Sequence, residues 1–438
     1  MKKLLEYINS KVLFKIAPLH SASVLTKVVA GILVSKSIAV FIGPVGLALV
    51  GNLRNFVSSF QTIATLGFYN GLVKYISEFK DNTIALSKTI STVFYAGFIS
   101  TILVSFLCYF NADLINDIIF PTYSDYAYTI KIFAIVLPFY ALNLFSFSIM
   151  NGFSKYKILI IINIIGQILG VSIALLLIYQ NKIDGALISV VIAEAIIFLI
   201  TLVGITNRKS LMPLIRVDNL SFDFLKKMSP YSLMALFTAV LLPLVALAIR
   251  SYIIENIGYQ YAGFWEAMTR ISKYYLMFVS SLMALYILPR FSEIDDKKEF
   301  KKEVFSFYKT VMPILAIGLL IIYFLRPYIV SFIFTDEFSP VEDLFLWQLL
   351  GDFVKVLSMV IAYQFLAKKM FWHYILTEAF LVVILYITSV YFIDMYDGIK
   401  GAVVAHFVSY SMYYGIILLI FGSSLFGVDL SEKSFKDD

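Results

Sequence analysis

The chain has 438 residues, of which 60% are hydrophobic and 15% are charged, and its mean hydropathy is +0.87. These values exclude an ordinary soluble domain, and the long continuous apolar runs predict an all-α integral membrane protein. The net charge of +6 comes mostly from short loops, where basic residues orient a membrane protein and meet membrane lipids, so no nucleic-acid partner is expected.

Apolar segments long enough to cross about 30 Å of hydrocarbon as helices recur along the chain. They predict twelve transmembrane helices, near residues 20–42, 46–70, 89–110, 127–150, 158–179, 185–205, 228–253, 261–289, 306–333, 344–366, 371–393 and 399–421. If the amino terminus is cytoplasmic, only Lys182, Arg326 and Lys400 among the loop lysines and arginines fall outside. The positive-inside rule therefore predicts a multi-pass protein of the bacterial inner (cytoplasmic) membrane with both termini cytoplasmic.

The two halves of the chain resemble each other at an offset of 216 residues. This offset aligns Arg54 with Arg270, and the sequence IDGA at 183–186 with IKGA at 399–402. Because each copy has an even number of spans, six, the first span of both copies enters the membrane from the same side. The sequence therefore predicts two six-helix lobes related by a parallel pseudo-two-fold repeat, an arrangement in which transporters bind substrate between the halves.

The predicted organisation has four parts. An amino-terminal six-helix lobe at 1–206 is followed by a cytoplasmic linker loop at 207–227, a carboxyl-terminal six-helix lobe at 228–421 and a cytoplasmic tail at 422–438. Pro213 and the polar composition favour a surface linker. The alternative is that this basic loop is only an orientation signal.

Basic residues inside the predicted spans indicate a wet interior. Each costs roughly 2.5–3.5 kcal/mol near a helix centre if it faces lipid, so these residues must line a water-filled cavity or pair with acids. Acids inside the spans are fewer, and the predicted cavity is therefore net positive and suited to an anionic substrate. The basic residues are Lys27, Lys36, Arg54, Lys131, Arg250, Arg270, Lys273, Lys309 and Lys355, of which Arg250 and Lys309 lie near enough to helix ends to snorkel.

Polar residues spaced at i, i+4 and i+7 share one face of a helix. Three such stripes are Arg54, Ser58 and Gln61; Glu266, Arg270 and Lys273; and Gln348, Asp352 and Lys355. With Lys27 and Lys36, the charged members and Gln348 are the predicted substrate-binding residues of a central vestibule. The structural alternative is a pair of salt bridges, Glu266 with Arg270 and Asp352 with Lys355, each of which fixes its own helix.

No catalytic, nucleotide-binding or metal-binding motif occurs in the sequence, so we expect neither enzymatic activity nor a cofactor. Transport is then driven by an H⁺ or Na⁺ gradient, or by the concentrations of substrate and product. Asp352, Glu378 and Glu194 are the candidate ion-coupling carboxylates. The three histidines lie on different predicted helices and are interpreted as core or helix-end residues rather than proton carriers.

The most recognisable stretches are SVLTKVVAGILVSKSIAVFIGPVGLALVGNLRNF at 23–56, GFYNGLVKYISEF at 67–79 and LFLWQLLGDFVKVLSMVIAYQFLAKKMFWHYILTE at 344–378. They resemble the Wzx family, the O-antigen and enterobacterial common antigen flippases of the multidrug/oligosaccharidyl-lipid/polysaccharide exporter superfamily. The resemblance runs along essentially the whole chain. It implies a two-lobed fold of twelve helices that alternates between inward-open and outward-open states.

The resemblance also implies an undecaprenyl-pyrophosphate-linked oligosaccharide as substrate, and a polymerase and chain-length regulator of the same pathway as partners. The residues that stand in matching stretches are Lys27, Lys36, Arg54, Trp347, Gln348, Asp352 and Lys355. Arg270 and Lys273 occupy positions that look uncharged or acidic in the enterobacterial common antigen branch. That difference concerns the glycan rather than the lipid pyrophosphate.

The predicted function is therefore a flippase for a lipid-linked oligosaccharide, and three alternatives remain open. A multidrug or cation antiporter of the same superfamily predicts an acidic cavity and drug resistance on overexpression. A peptidoglycan-precursor flippase is closer, although such flippases commonly carry two helices more than the twelve predicted here. A membrane-embedded glycan polymerase or ligase predicts a large extracytoplasmic loop, and the short outer loops between the predicted spans disfavour it.

Overall fold

The computed structural model describes residues 11–123, 125–205 and 215–427, and all regular secondary structure within them is helical. This confirms the all-α class. The α-helices of the described residues are α1 (Lys11–Phe41), α2 (Pro44–Ala64), α3 (Tyr69–Phe79), α4 (Thr83–Phe110), α5 (Ala112–Ile119), α6 (Ala127–Gly152), α7 (Tyr156–Ile205), α8 (Phe222–Asn256), α9 (Tyr259–Leu282), α10 (Leu288–Glu293), α11 (Lys297–Phe324), α12 (Arg326–Ile333), α13 (Phe345–Ala367), α14 (Phe371–Tyr396), α15 (Lys400–Ile420) and α16 (Gly422–Phe426). A π-helical turn at Met283–Ile287 joins α9 to α10, and 3₁₀ turns occur at Val217–Asn219 and Asp336–Leu344.

Helix ends coincide with residues that stop or start a helix for local reasons. Pro44 occupies the first turn of α2, where its missing N–H costs no hydrogen bond, and Gly43 before it has φ 83°. Asn82 begins α4, and its side-chain oxygen accepts a hydrogen bond from the Ala85 N–H at 3.1 Å. Asp397 ends α14 in the left-handed conformation with φ 47°.

Ten helical segments among the described residues are long and apolar enough to cross a membrane, which makes the protein a multi-pass membrane protein. One of them, Tyr156–Gly204, has 49 residues and contains the two spans predicted at 158–179 and 185–205. Within it, Lys182 has φ 48° and ψ −117°, which is not helical, so α7 consists of two helices joined at this residue.

Helix α2 corresponds to the span predicted at 46–70 but is not among the ten. Its 21 residues include several polar side chains, which lower its hydropathy. Two of these, Asn52 and Ser59, are buried at 0% and 3% exposure. The helix is thus polar because part of its surface packs inside the protein.

The span predicted at 306–333 is too long, because the structure ends α11 at Phe324 and begins α12 at Arg326. Pro327 has no N–H to donate to the carbonyl of Tyr323. The Nη1 atom of Arg326 donates to that oxygen instead, at 3.0 Å. The helix therefore breaks where a proline removes one hydrogen bond and a side chain replaces it.

The chain divides into two compact units by its internal contacts. The first unit comprises Met1–Ile254, Gly258–Gly263 and Ile333–Glu337, and the second comprises Glu255–Ile257, Phe264–Phe332 and Phe338–Asp438. The first unit thus includes most of α8, whereas the predicted amino-terminal lobe ends at residue 206. The division into six and six helices stays a prediction. Residues 207–214 of the predicted linker and 428–438 of the predicted tail lie outside the described residues.

Candidate functional site

The most concentrated polar site in the described structure surrounds Asp352, in the second unit. This residue of α13 is fully buried, at 0% exposure. Its Oδ2 accepts a hydrogen bond from Ser272 Oγ of α9 at 2.5 Å and another from the Tyr275 hydroxyl. Gln348 Nε2, one turn earlier on α13, lies 3.3 Å from the same oxygen, and His406 Nε2 of α15 lies 3.0 Å from Oδ1. Side chains from three helices therefore converge on one carboxylate.

Lys355 lies on α13 beside this carboxylate but contacts an aromatic ring. Its Nζ is 5.1 Å from the ring centroid of Tyr410 on α15, within cation–π range. The ring of Tyr410 also meets the His406 ring edge to face, at a centroid distance of 4.7 Å. The structural alternative of a salt bridge between Asp352 and Lys355 is wrong, since no such bridge is present among the described residues and the basic side chain in contact with Asp352 is His406.

A second carboxylate of this unit, Glu378 of α14, is half-buried and accepts a hydrogen bond from the Tyr413 hydroxyl at 3.0 Å. Tyr413 and Tyr410 lie on α15, with ring centroids 6.4 Å apart. Two of the three predicted ion-coupling carboxylates, Asp352 and Glu378, thus meet the same helix, α15, through His406 in one case and Tyr413 in the other.

Glu266 and Arg270 form a buried salt bridge on α9. Arg270 Nε lies 2.8 Å from Glu266 Oε1, and both side chains are 2% exposed. This contact confirms the pairing predicted from their i, i+4 spacing. Lys273, the third member of the stripe, is exposed.

The predicted cationic residues of the first unit lie on α1 and α2. Lys27 and Lys36 are half-buried and Arg54 is exposed. Lys36 Nζ donates a hydrogen bond to the carbonyl of Phe334. Lys27 is close enough to Glu194 of α7 for a Coulombic interaction. Glu194 is half-buried and lies 3.4 Å from Asn143 Nδ2 of α6.

Arg250 is buried rather than snorkelling, because its side chain reaches a neighbouring amide. It is 2% exposed, and its Nη1 donates to Asn52 Oδ1 at 2.7 Å. Asn52 Nδ2 in turn donates to the carbonyl of Ile119 at 2.8 Å. Arg250 therefore contributes to the packing of the first unit, whereas the sequence analysis predicted that it lies near a helix end and snorkels.

Sequence reasoning missed His406, Ser272 and Tyr275 as neighbours of Asp352. Hydropathy and spacing within one helix do not indicate which residues of other helices face it. The one available signal was that Ser272 and Tyr275 flank Lys273 in the polar segment of α9. The structure offers no group of three or more His, Cys, Asp or Glu side chains suited to a metal ion, as far as the described residues go.

Comparison with known proteins identifies relatives of the whole chain. A sequence model of a family described as polysaccharide biosynthesis protein matches residues 38–343. The lipid III flippase of Escherichia coli (strain K12) is 28% identical over 405 residues, which make up 92% of this chain and 96% of that protein. The match thus spans nearly the full length of both proteins.

Solved structures with the same fold include transporters and a flippase. The inward-facing conformation of a multidrug resistance MATE family transporter of the MOP superfamily matches with a TM-score of 0.70 at 13% identity, over 92% of this chain and 95% of that one. The lipid II flippase MurJ, in an inward closed conformation, matches with a TM-score of 0.70 at 16% identity, over 93% of this chain and 87% of that one. At these identities the similarity concerns the fold alone.

Proposed function

The chain belongs to the polysaccharide biosynthesis protein family, and from this premise we propose that it is a flippase for a lipid-linked oligosaccharide. The substrate that we propose is an undecaprenyl-pyrophosphate-linked repeat unit, moved from the cytoplasmic to the outer leaflet of the bacterial inner membrane. The observation that carries this proposal is the nearly full-length similarity to the lipid III flippase. The protein is accordingly a transporter rather than an enzyme, and a polymerase and chain-length regulator of the same pathway are the partners that this function implies.

We further propose twelve transmembrane helices arranged as two copies of a six-helix unit. Adding 216 to the bounds of α2, 44–64, gives 260–280, and α9 occupies Tyr259–Leu282. The same shift takes α4 to 299–326, against Lys297–Phe324 for α11, and α6 to 343–368, against Phe345–Ala367 for α13. The order and lengths of the helices thus recur at the offset seen in the sequence. Counting α2 as one span and α7 as two gives twelve.

Two glycines related by the same offset support the repeat. A Cβ on Gly185 would lie 1.9 Å from the carbonyl oxygen of Leu177, and a Cβ on Gly401 would lie 2.2 Å from that of Phe392. Both glycines begin a helix that packs tightly against the end of the preceding one, and only a residue with no side chain fits there. The recurrence of this close approach favours duplication of one structural unit.

The basic residues of the spans are the proposed binding groups for the pyrophosphate and acidic sugars. Arginine and lysine can replace the hydration of a phosphate at close range. We assign this role to six residues, which are Lys27, Lys36 and Arg54 in the first unit and Arg270, Lys273 and Lys355 in the second. Glu266 positions Arg270 through their salt bridge, and Gln348 and Asp352 lie on the same helix as Lys355. Lys355 supports the assignment best, because it lies on a polar helix face next to a tyrosine rather than in a salt bridge.

Complementation tests the function and the cationic residues together. In strains that lack their own flippase, the wild-type protein is expected to restore the surface glycan in at least one glycan type, and Lys355→Glu and Arg54→Glu are expected to abolish it. Lys298→Glu, at an exposed position on α11, is the matched control and should complement normally. Loss of function counts only where immunoblots show normal protein levels in the membrane.

The multidrug antiporter remains the second candidate because solved MATE transporters share the fold. It predicts that overexpression raises resistance to cationic drugs and that no flippase-null strain is complemented. Drug resistance without complementation would overturn the flippase proposal. Complementation only in strains blocked in peptidoglycan-precursor transport would assign the chain to that substrate instead.

We also propose that transport is coupled to protons through Asp352 and His406. This departs from the interpretation of the histidines as core or helix-end residues, because His406 contacts the buried carboxylate. An imidazole beside the carboxylate is a proton-carrying group, and in its charged form it repels a metal cation, which favours H⁺ over Na⁺ as the coupled ion. The titratable or charged neighbours of the pair are Tyr275 of α9, Lys355 of α13 and Tyr410 of α15, and Glu378 of α14 faces Lys355. A neutral carboxyl accepts weaker hydrogen bonds than a carboxylate, so protonation of Asp352 loosens the contact of α9 with α13.

Flipping of a fluorescent lipid-linked oligosaccharide in proteoliposomes tests this coupling. An imposed pH gradient is expected to accelerate the wild-type protein, whereas Asp352→Asn and His406→Gln should flip at the same rate with and without the gradient. The control is Asp295→Asn, which removes an exposed carboxylate between α10 and α11. This variant should respond to the pH gradient as the wild-type protein does. A response to Na⁺ alone, or an intact pH response in Asp352→Asn, would contradict the proposal.

A further inference from the structure

The second unit contains an apolar groove between α11 and α13. It has a volume of about 420 Å³, within the range of ligand-binding sites, and all nine lining side chains are apolar or aromatic. Five come from α11, including Ala316 and Tyr323, and four come from α13, including Leu346 and Leu350. Leu346 and Leu350 are 45% and 41% exposed, so the groove is open along the outer surface of these helices.

The two helices are joined by a hydrogen bond on one side of the groove. The Tyr308 hydroxyl of α11 donates to the Leu357 carbonyl of α13 at 2.6 Å. Beyond this contact, Ala316 presents only a small side chain to the groove. The space between the helices is therefore unfilled toward the carboxyl end of α11.

A fixed guanidinium stands where the groove ends. The Arg326 guanidinium lies over the ring of Tyr323, 4.3 Å from its centroid, and Tyr323 itself lines the groove. Arg326 is half-buried and is held by the hydrogen bond from Nη1 to the Tyr323 carbonyl. No carboxylate lies within salt-bridge distance of it in the part of the chain that the structure describes. The remaining N–H groups of a planar cation are thus oriented at the end of an apolar channel.

We propose that this groove binds an anionic phospholipid, with one acyl chain between α11 and α13 and the phosphate on Arg326. Arginine matches a phosphate group with paired N–H donors, and Tyr323 fixes its plane. The hydrocarbon chain packs against the apolar side chains of both helices and fills the groove between them. This site is separate from the flippase function and does not depend on it.

The position of the groove on α13 favours a phospholipid over the transported lipid. At 100° per residue, Leu346, Leu350 and Phe353 fall on one side of the helix, and Gln348 and Asp352 fall on the opposite side. A lipid whose headgroup reached the Asp352 cluster could not place its chain in this groove without crossing α13. The occupant therefore binds independently of that cluster.

Native mass spectrometry and thermal unfolding of the purified protein test the site. The probes are phosphatidylglycerol and phosphatidylcholine with identical acyl chains. Phosphatidylglycerol is expected to be retained and to raise the melting temperature more than phosphatidylcholine. Arg326→Gln should bind phosphatidylglycerol about tenfold more weakly and lose the preference, because a charge-assisted contact to the phosphate is removed. Ala316→Trp fills the groove and should reduce retention of both lipids.

Ile317→Trp is the matched control, since Ile317 is 60% exposed on the same helix and does not line the groove. If Ala316→Trp fails to fold, Leu350→Trp fills the groove from α13. Equal retention of both phospholipids, or an unchanged preference in Arg326→Gln, would refute the site. Displacement of phosphatidylglycerol by a polyprenyl diphosphate at equal concentration would overturn the choice of occupant in favour of the transported lipid.

Discussion

Arg250 and Asn52 are single residues on which the packing of the first unit depends. The arginine is nearly inaccessible, and its bond to Asn52 is continued by the bond from Asn52 to the carbonyl of Ile119. A buried hydrogen bond to a charged group contributes about 1.5–3 kcal/mol, and a partner left without it incurs its full desolvation cost. We expect Asn52→Leu to lower the free energy of unfolding by about 2 kcal/mol, measured as a lower melting temperature in detergent.

The control for this change is Asn55→Leu, one turn along α2 at a half-buried position. It alters composition equally and should leave the melting temperature near that of the wild type. The double variant Asn52→Leu with Arg250→Met should recover part of the loss, since it removes both partners rather than stranding one. A melting temperature that is unchanged in Asn52→Leu would show that Asn52 does not stabilise the arginine.

The polar site shows what spacing along one helix can and cannot predict. The i, i+4 rule placed Gln348 beside Asp352 and Glu266 beside Arg270, and both contacts are present. The rule carries no information about other helices, so it paired Asp352 with Lys355 and did not find His406. His406 is 54 residues away in sequence, and only the packing of α15 against α13 brings it to the carboxylate.

Gly185 and Gly401 lie at tight connections between consecutive helices. Each would place a Cβ within 2.2 Å of a carbonyl oxygen in the preceding helix, and backbone cannot yield as a flexible side chain does. We expect Gly185→Ala and Gly401→Ala each to destabilise the protein by about 1–3 kcal/mol, through the backbone shift that the extra methyl group forces. The measurement is the melting temperature, together with the yield of protein extracted from the membrane.

The same helices provide matched controls. At Gly170 on α7 and Gly415 on α15, an added methyl group would meet no atom within 4 Å. Replacing these glycines by alanine should leave stability unchanged or raise it by up to about 1 kcal/mol, because alanine favours a helix interior. Equal tolerance of alanine at all four positions would contradict the close approach, and with it one support for the repeat.

At the scale of elements, hydropathy predicted most helix bounds to within a few residues. The span expected at 127–150 is α6, and that at 371–393 is α14. Hydropathy failed at the span predicted at 306–333. Leu325, between α11 and α12, is as apolar as its neighbours, and hydropathy does not detect that Pro327 lacks an N–H. Pro327 was the signal available in the sequence, and its effect on the preceding carbonyl explains the break.

The whole molecule has, among its described residues, ten helical segments that are clearly long and apolar enough to cross a membrane, whereas we propose twelve crossings. Ten segments meet the criteria of length and hydropathy, and the difference comes from α2 and from the two halves of α7. A polar helix can cross a membrane when its polar groups are satisfied within the protein, as Asn52 is. A fixed threshold of length and mean hydropathy therefore misses a helix such as α2, although the sequence pattern predicted a span at 46–70.

Labelling of single cysteines decides between ten and twelve crossings. In a Cys108→Ala background, a membrane-impermeant maleimide applied to intact spheroplasts should label Phe41→Cys and Lys182→Cys but not Asp81→Cys and Lys155→Cys. The reason is that α2 separates Phe41 from Asp81, and the first half of α7 separates Lys155 from Lys182. Permeabilised cells should label all four, which controls for accessibility. Labelling of Phe41→Cys and Asp81→Cys from the same side would mean that α2 does not cross, and six spans per copy would no longer hold.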